Sequence, residues 1–236
     1  MRALGAIVLA LIAHVANAET ITSARFVDPT QHYAHGILGD STEYSGMRVD
    51  LSVSGRFLVG FPPNTRVFED LAPRLWDVTG DGTPEIVVIE TDPPQGAQLS
   101  IYGLRDGTLS KIASTPHIGQ THRWLAPIGA GDLDGDGHIE IAYIDRPHLA
   151  KTLRIWRYRD GKLTEIATQP GLTNHKIGWD HIPGGIRTCG SHPELITANA
   201  DWSRIIASTF DGTSIHTHGI GAYTDPTQLN RATQCK

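Results

Sequence analysis

The chain has 236 residues and a formal net charge of −5 at pH 7, with 20 Lys and Arg against 25 Asp and Glu. The basic residues are scattered along the sequence, so no segment forms a positively charged patch for nucleic acid or an anionic membrane. We therefore expect neither partner.

The first 18 residues have the pattern of a secretory signal peptide. Arg2 is followed by an apolar stretch over 3–15 and by Ala-Asn-Ala at 16–18, which is typical of a cleavage site. This stretch is shorter than the roughly 20 residues of a membrane-spanning helix, and a retained membrane anchor is the alternative. We predict a periplasmic or secreted protein without membrane insertion, whose residues 19–236 form a single, monomeric domain.

A unit of about 55 residues recurs along the chain. Glutamates at positions 85, 140 and 194 each begin or enter a short apolar run, EIVVIE, EIAYID and ELITAN. These runs end in polar residues at the same offset, which are Glu90, Asp145 and Asn199. The three runs are therefore predicted to be equivalent strands in register.

Each unit also contains an Asp-Gly pair between two β-prone segments, at 106–107, 160–161 and 211–212. Asp-Gly between such segments predicts a β-hairpin, because both residues tolerate positive φ angles. A further strand is expected upstream, near 71–73, 125–127 and 181–183. Four strands in about 55 residues are typical of a propeller blade and too many for a rung of a parallel β-helix.

We predict an all-β fold, a small β-propeller of four blades with four antiparallel strands each. The blades are expected at about residues 21–66, 67–119, 120–177 and 178–230. The first of them lacks the loop motif described below and is a degenerate copy. A propeller of five blades is the alternative. Blades of this kind hide their sheet edges against one another in a ring.

Two cysteines, Cys189 and Cys235, remain after the predicted leader. An even number of cysteines in an oxidising compartment favours one disulfide between them, and two separate thiols are the alternative. Such a bridge is expected to reinforce the place where the ends of the propeller meet.

An acidic loop, DLDGDGHIE, precedes the strand of the third blade. It places Asp132, Asp134 and Asp136 at alternate positions, and the carbonyl oxygen of His138 and the side chain of Glu140 can complete an oxygen shell. Calcium takes 6 to 8 oxygens at about 2.3–2.6 Å and suits a flexible loop, whereas magnesium needs a stricter octahedron. We therefore predict a Ca²⁺ site.

The second blade repeats this loop as DVTGDGTPE. The corresponding ligands are Asp77, Thr79, Asp81, the carbonyl of Thr83, and Glu85. Because a hydroxyl replaces one carboxylate, weaker binding is expected. The fourth blade keeps only the glutamate, Glu194, and is expected to bind no metal. Asp and Gly are also common in ordinary turns, which is the alternative for both loops.

With DLDGDGHIEIAYID and DVTGDGTPEIVVIE, the chain resembles the FG-GAP or VCBS-type repeats of the integrin α-chain N-terminal β-propeller superfamily over roughly residues 65–215. The resemblance implies a propeller whose loops bind calcium through the two residue sets named above. The Phe-Gly pair of the family name is missing, and the chain has fewer repeats than the seven-bladed integrin propellers. It is similar to a short, bacterial-style member.

The sequence also offers candidates for other chemistry. Four histidines between the predicted blades can approach the central channel and gather a transition metal, or they can be ordinary loop residues: His117, His122, His175 and His181. The segment 146–148 (Arg-Pro-His) and the polar strand ends can form a catalytic face. The five tryptophans can stack on sugars but are expected mainly in the core. No G-x-S-x-G or H-E-x-x-H motif is present.

From the sequence we expect an exported calcium-binding propeller that acts as a non-catalytic binding or scaffolding module for a protein or glycan. The alternative is a periplasmic hydrolase or lyase with a His and carboxylate site on the propeller face or in its channel.

Overall fold

The computed structural model describes residues 19–53 and 55–235. The signal peptide predicted at residues 1–18 lies outside this part of the chain. The described residues fold almost entirely into antiparallel β-structure, with one short helix. In the described ranges, no helix has the length and apolar character needed to cross a membrane.

The first sheet contains eight strands. They are β1 (Ile21–Thr30), β2 (Glu43–Leu51), β3 (Arg56–Gly60), β4 (Val67–Phe68), β5 (Arg74–Trp76), β6 (Glu85–Asp92), β7 (Gly96–Arg105) and β8 (Thr108–Ser114). Their order is β1-β2-β4-β6-β7-β8, with β3 also paired to β2 and β5 also paired to β6.

The second and third sheets follow along the chain. The second has the order β12-β11-β10-β9 and consists of β9 (Leu125–Gly131), β10 (Ile139–Asp145), β11 (Thr152–Arg159) and β12 (Lys162–Pro170). The third consists of β13 (Leu172–Thr173), β14 (Gly185–Arg187), β15 (Glu194–Asn199), β16 (Arg204–Phe210) and β17 (Ile215–Ala222), and helix α1 (Thr227–Ala232) follows it.

The predicted repeat is visible in all three sheets. The EIVVIE, EIAYID and ELITAN runs form β6, β10 and β15, and each of these strands pairs with the next strand along the chain. The Asp-Gly pairs connect β7 to β8, β11 to β12 and β16 to β17, and Asp106 and Asp160 adopt positive φ angles of 51° and 50°. The all-β fold and the three hairpins are therefore confirmed.

The first predicted blade is joined to the second. Phe68 in the two-residue strand β4 pairs with Tyr44 of β2 on one side and with Glu90 of β6 on the other. Its ring stacks against Phe26 and lies 4.7 Å from the ring of Phe61. Since these contacts merge residues 21–114 into one sheet, the described residues form three hydrogen-bonded sheets, and a count of four separate blades is not confirmed.

The repeated units share one hydrophobic core. Buried side chains from all three sheets, among them Ile89, Ile141 and Leu195, belong to a single cluster. The predicted disulfide joins Cys189 to Cys235 and lies within the last unit, where it ties the end of the chain after α1 to the loop before β15. It therefore fastens the C-terminal helix to the third sheet and does not link the first unit to the last.

Candidate functional site

The acidic loop between β9 and β10 brings its three aspartates together. Asp132 accepts hydrogen bonds from the backbone N–H groups of Gly135 and Gly137 at 2.7 and 3.0 Å, which folds the loop around its side chain. One carboxylate oxygen from each of Asp132, Asp134 and Asp136 lies within 4.8 Å of the others. Two oxygens on opposite sides of a calcium ion are about 5 Å apart, so this all-oxygen group fits a hard cation.

Glu140 has a different position in the same loop. Its buried carboxylate accepts the N–H of Leu133 at 2.8 Å and the Nε–H of Arg157 at 2.6 Å. Burial raises the pKa of Glu140, and the bonds from Leu133 and Arg157 oppose that rise. Arg157 also pairs with Asp134 at 2.5 Å and with Asp136 at 2.9 Å. A protein cation therefore already neutralises part of this loop.

The loop between β5 and β6 repeats the design with fewer charges. Asp77 accepts the N–H groups of Gly80 and Gly82 at 2.8 and 2.9 Å. The Thr79 hydroxyl donates to Glu85 at 3.0 Å, and Glu85 also accepts the N–H of Val78 at 2.9 Å. Glu85 therefore closes the base of its loop as Glu140 does, and burial likewise raises its pKa.

The remaining predicted ligands bond within their own loops. Asp81 accepts the hydroxyl of Thr83 at 2.6 Å, and this bond lowers the pKa of Asp81. The N–H of His138 donates to Asp136 at 2.8 Å. The carbonyl ligands expected from Thr83 and His138 stay predictions. In the fourth loop, Glu194 pairs with Arg187 at 2.7 Å.

Each polar residue at a strand end is hydrogen-bonded to neighbours near its own strand. Glu90 is bonded by Lys111 and Tyr102, and Asp145 is bonded by Arg146 and by its neighbour on β11, Arg154. The third member, Asn199, accepts backbone N–H groups in its own turn. Each side chain thus serves its own sheet.

A cavity of about 220 Å³ is lined by His35, His122 and His148. The rings of His35 and His122 stack with centroids 5.0 Å apart. Nε2 of His148 lies 3.3 Å from Nδ1 of the buried His175, whose Nε2 bonds the carbonyl oxygen of Trp179 at 3.0 Å. The structure therefore brings together His122, His148 and His175, which the sequence singled out, and adds His35.

The other two histidines from the sequence lie elsewhere. His117 bonds the carbonyl of Gly96 at 2.8 Å, and His181 stacks on Trp179 with ring centroids 4.8 Å apart. No group of three His, Cys, Asp or Glu ligand atoms other than the three aspartates of the third blade meets within 4.8 Å in the described residues. The histidine cavity is therefore not a preformed three-ligand metal centre.

A buried carboxylate that the sequence did not reveal lies beside the cavity. Nδ1 of His35 forms a short contact with the carboxylate of Glu69, which is 1% exposed. Burial raises the pKa of Glu69, and the bond from His35 opposes this. The two residues lie 34 positions apart and neither belongs to a repeated motif, so no periodic signal marked them.

The tryptophans divide between the main core and a half-buried cluster beside the third sheet. Three pack in or against the main core: Trp76, Trp124 and Trp156. Trp179 and Trp202 form a separate aromatic cluster with Tyr223, with ring centroids 5.3 and 5.0 Å apart. Nζ of Lys176 lies 4.7 Å from the ring centroid of Trp202. The lysine therefore makes a cation–π contact with this cluster.

Several antiparallel β-sheets with repeated Asp-rich loops between their strands fit a β-propeller-type repeat protein. Residues 77–143 match the family model of the FG-GAP-like repeat. The matched stretch begins at the first aspartate of the second-blade loop and contains the whole of the third-blade loop. It is consistent with an FG-GAP repeat protein. No curated protein matches the chain.

Proposed function

We propose that this protein is an exported, calcium-binding β-propeller-type module that binds a ligand without performing chemistry on it. The observation that carries the proposal is the convergence of Asp132, Asp134 and Asp136 to within 4.8 Å of one another. Calcium held there would rigidify the connection between β9 and β10. The Asp77 loop would bind a second ion more weakly, because it offers fewer carboxylates.

Two further features support the export part of the proposal. Residues 1–18 have the signal-peptide pattern, and the Cys189–Cys235 disulfide is the kind of bond that persists in an oxidising compartment. The partner of such a module would be an extracytoplasmic protein, glycan or small molecule.

Thermal unfolding of the mature protein, residues 19–236, tests the calcium site. After treatment with a chelator, added Ca²⁺ at about 100 times its Kd should stabilise the native state by about 2.7 kcal/mol. Asp132→Asn and Asp77→Asn should each blunt this rise, with the larger loss for Asp132→Asn.

The matched control is Asp160→Asn, which changes an aspartate that is 90% exposed on the β11–β12 turn. Asparagine tolerates the positive φ of that position, so the calcium response should stay that of the wild type. If the midpoint of thermal unfolding is the same with calcium and with chelator, both loops are ordinary turns and the calcium part of the proposal is wrong.

A second function, hydrolase or lyase, is favoured by one observation. His35 is held by the buried Glu69 carboxylate and lines a cavity, which is how a general base is often oriented. Turnover of ester or glycoside substrates that is lost in His35→Gln, with unchanged unfolding, would establish this alternative in place of the binding module.

A further inference from the structure

The histidine cavity has a distinctive lining. Four basic side chains other than His148 line it, namely His35, His122, Arg123 and Arg146, whereas burial lowers the pKa of His148 to about 4 and leaves it neutral at pH 7. The remaining lining residues are apolar or aromatic, and no acidic side chain is among them. This lining belongs to a chain whose formal net charge is −5. A basic, partly apolar cavity in an acidic protein concentrates small anions.

Arg123 contributes a positive charge that the protein does not neutralise. Its guanidinium donates to the backbone carbonyl of His122 at 2.8 Å, and within residues 19–53 and 55–235 it forms no ion pair with a carboxylate. Arg146, by contrast, shares Asp145 with Arg154. Arg123 is therefore the group with a free charge-assisted donor for a ligand.

His122 is the second free group. Its ring stacks on that of His35 and lies tilted beside that of Tyr33, with centroids 5.0 Å apart in both pairs. Its ring nitrogens bond no other residue in the described part of the chain. The side chain is exposed. Because stacking fixes the plane of the ring while leaving both nitrogens open, His122 can present a donor to a ligand beside Arg123.

The backbone at this cavity is held in an uncommon conformation. His122 has a φ of 51° and Arg146 a φ of 44°, in the left-handed region that bulky residues rarely adopt. The N–H of His122 donates to the Tyr33 hydroxyl at 2.7 Å, and the N–H of Arg146 donates to the carbonyl of Trp124 at 3.0 Å. Such strain is retained where surrounding structure enforces it, and it is commonly found at binding sites.

The apolar side chains and the volume of the cavity indicate the size and polarity of the molecule that it can bind. Leu149 and Ile177 line it although they are 63% and 68% exposed, and the buried Trp124 and Ile37 also contribute. The volume of about 220 Å³ is below the roughly 300 Å³ at which sites for drug-sized molecules begin. The cavity therefore suits a small molecule with an apolar body.

We infer that this cavity binds a small organic carboxylate, with Arg123 and His122 holding the carboxylate and Leu149, Ile177 and Trp124 contacting its apolar body. The inference rests on the proposed function in one respect, which is that the module acts by binding a ligand. It does not require calcium in the acidic loops.

Isothermal titration calorimetry of the mature protein with benzoate tests this inference, with benzyl alcohol and benzylammonium as probes of the same shape but different charge. Benzoate should bind at millimolar or lower concentration, and benzyl alcohol and benzylammonium about tenfold or more weakly. Arg123→Gln and His122→Asn should each weaken benzoate binding about tenfold. Asparagine is chosen because it tolerates the positive φ at 122.

The control is Arg159→Gln, which removes an arginine with a 68% exposed side chain that does not line the cavity and should leave benzoate binding unchanged. Absence of benzoate binding, equal binding of benzyl alcohol, or binding that survives both cavity variants would overturn the inference. Repeating the titration with chelator and with Asp132→Asn separates the two proposals, because failure of the calcium sites would leave benzoate binding intact.

Discussion

Glu140 and Arg157 stand directly opposite each other on β10 and β11, and the Nε–H of Arg157 donates to the Glu140 carboxylate at 2.6 Å. In the preceding unit, Gly103 of β7 lies beside Glu85, and a Cβ on it would be 3.2 Å from Cγ of the glutamate and 3.0 Å from Ile112. The third-blade loop therefore carries its own cation, whereas the second-blade loop has none at this position.

This difference predicts that Arg157→Met lowers the stability of the metal-free protein and raises the affinity of the third-blade loop for Ca²⁺. Without metal, the buried Glu140 loses its partner, and the variant should be less stable by about 3 kcal/mol. With the guanidinium gone, the aspartates should bind Ca²⁺ about tenfold more tightly, as measured by calcium titration. Arg159→Met is the matched control. Weaker calcium binding in Arg157→Met would mean that the arginine organises the site and does not compete with the ion.

The disulfide should stabilise the protein through the length of the loop that it closes. Cys189 and Cys235 are 46 residues apart, for which the chain-entropy model gives about 4 kcal/mol as an upper value. The double variant Cys189→Ser/Cys235→Ser should unfold at lower urea concentration by up to this amount. Hydrogen bonds from Arg187 to Ala232 and from Gly184 to Asn230 should keep α1 in place in the folded variant. Reductant should shift the wild type but not the double variant.

The His148–His175 pair predicts a pH-dependent term in stability. Burial, with a smaller effect of the neighbouring His175, lowers the pKa of His148 to about 4 from its ordinary value of 6.5. Between these two values the unfolded chain binds more protons than the folded one, so this group's contribution to stability is lost as pH falls from about 6.5 towards 4.

Urea unfolding at pH 7 and pH 5 measures this term as a difference between variants. His148→Gln should lose less stability on acidification than the wild type, whereas His192→Gln, at an exposed position, should behave like the wild type. The comparison is needed because Glu69 has a raised pKa and contributes with the opposite sign. Equal acid sensitivity of His148→Gln and the wild type would contradict the prediction.

Gly96 should control the position of the segment that carries His122. A Cβ on Gly96 would lie 2.1 Å from the carbonyl oxygen of Gln120, and Gly96 has a φ of 76°. Gly161 has a similar φ of 75° but open space around it, so Gly161→Ala isolates the backbone penalty, about 1 kcal/mol. Gly96→Ala should lose about 3 kcal/mol in urea unfolding. Equal losses of stability in the two variants would show that the segment around Gln120 moves away from the new side chain at little cost.

Several features of the fold could be predicted from local sequence. The strands β6, β10 and β15 are marked by apolar runs at a constant spacing, and the three hairpins are marked by Asp-Gly. The convergence of Asp132, Asp134 and Asp136 follows from their alternate positions in one loop. Each of these signals lies within a few residues of the structure that it specifies, so no long-range contact is needed to read it.

Other features depend on contacts between distant residues. The strand β4 is only two residues long, too short for any periodic pattern, yet it merges the first predicted blade with the second. The contact of His35 with Glu69 and the bond from His148 to His175 join separate loops. No spacing in the sequence marks these pairs.

The sequence by itself determined the repeated β-units, their turns, the acidic loops and the cysteines that can pair, because turn chemistry and apolar periodicity act over neighbouring residues. The tertiary structure alone decided that Arg157 enters the third-blade loop and that Arg123, His122 and His35 share one cavity. The first outcome depends on the register of β10 and β11, because a shift of one residue would turn Arg157 to the other face of the sheet. The second depends on the packing of loops that are distant in the sequence.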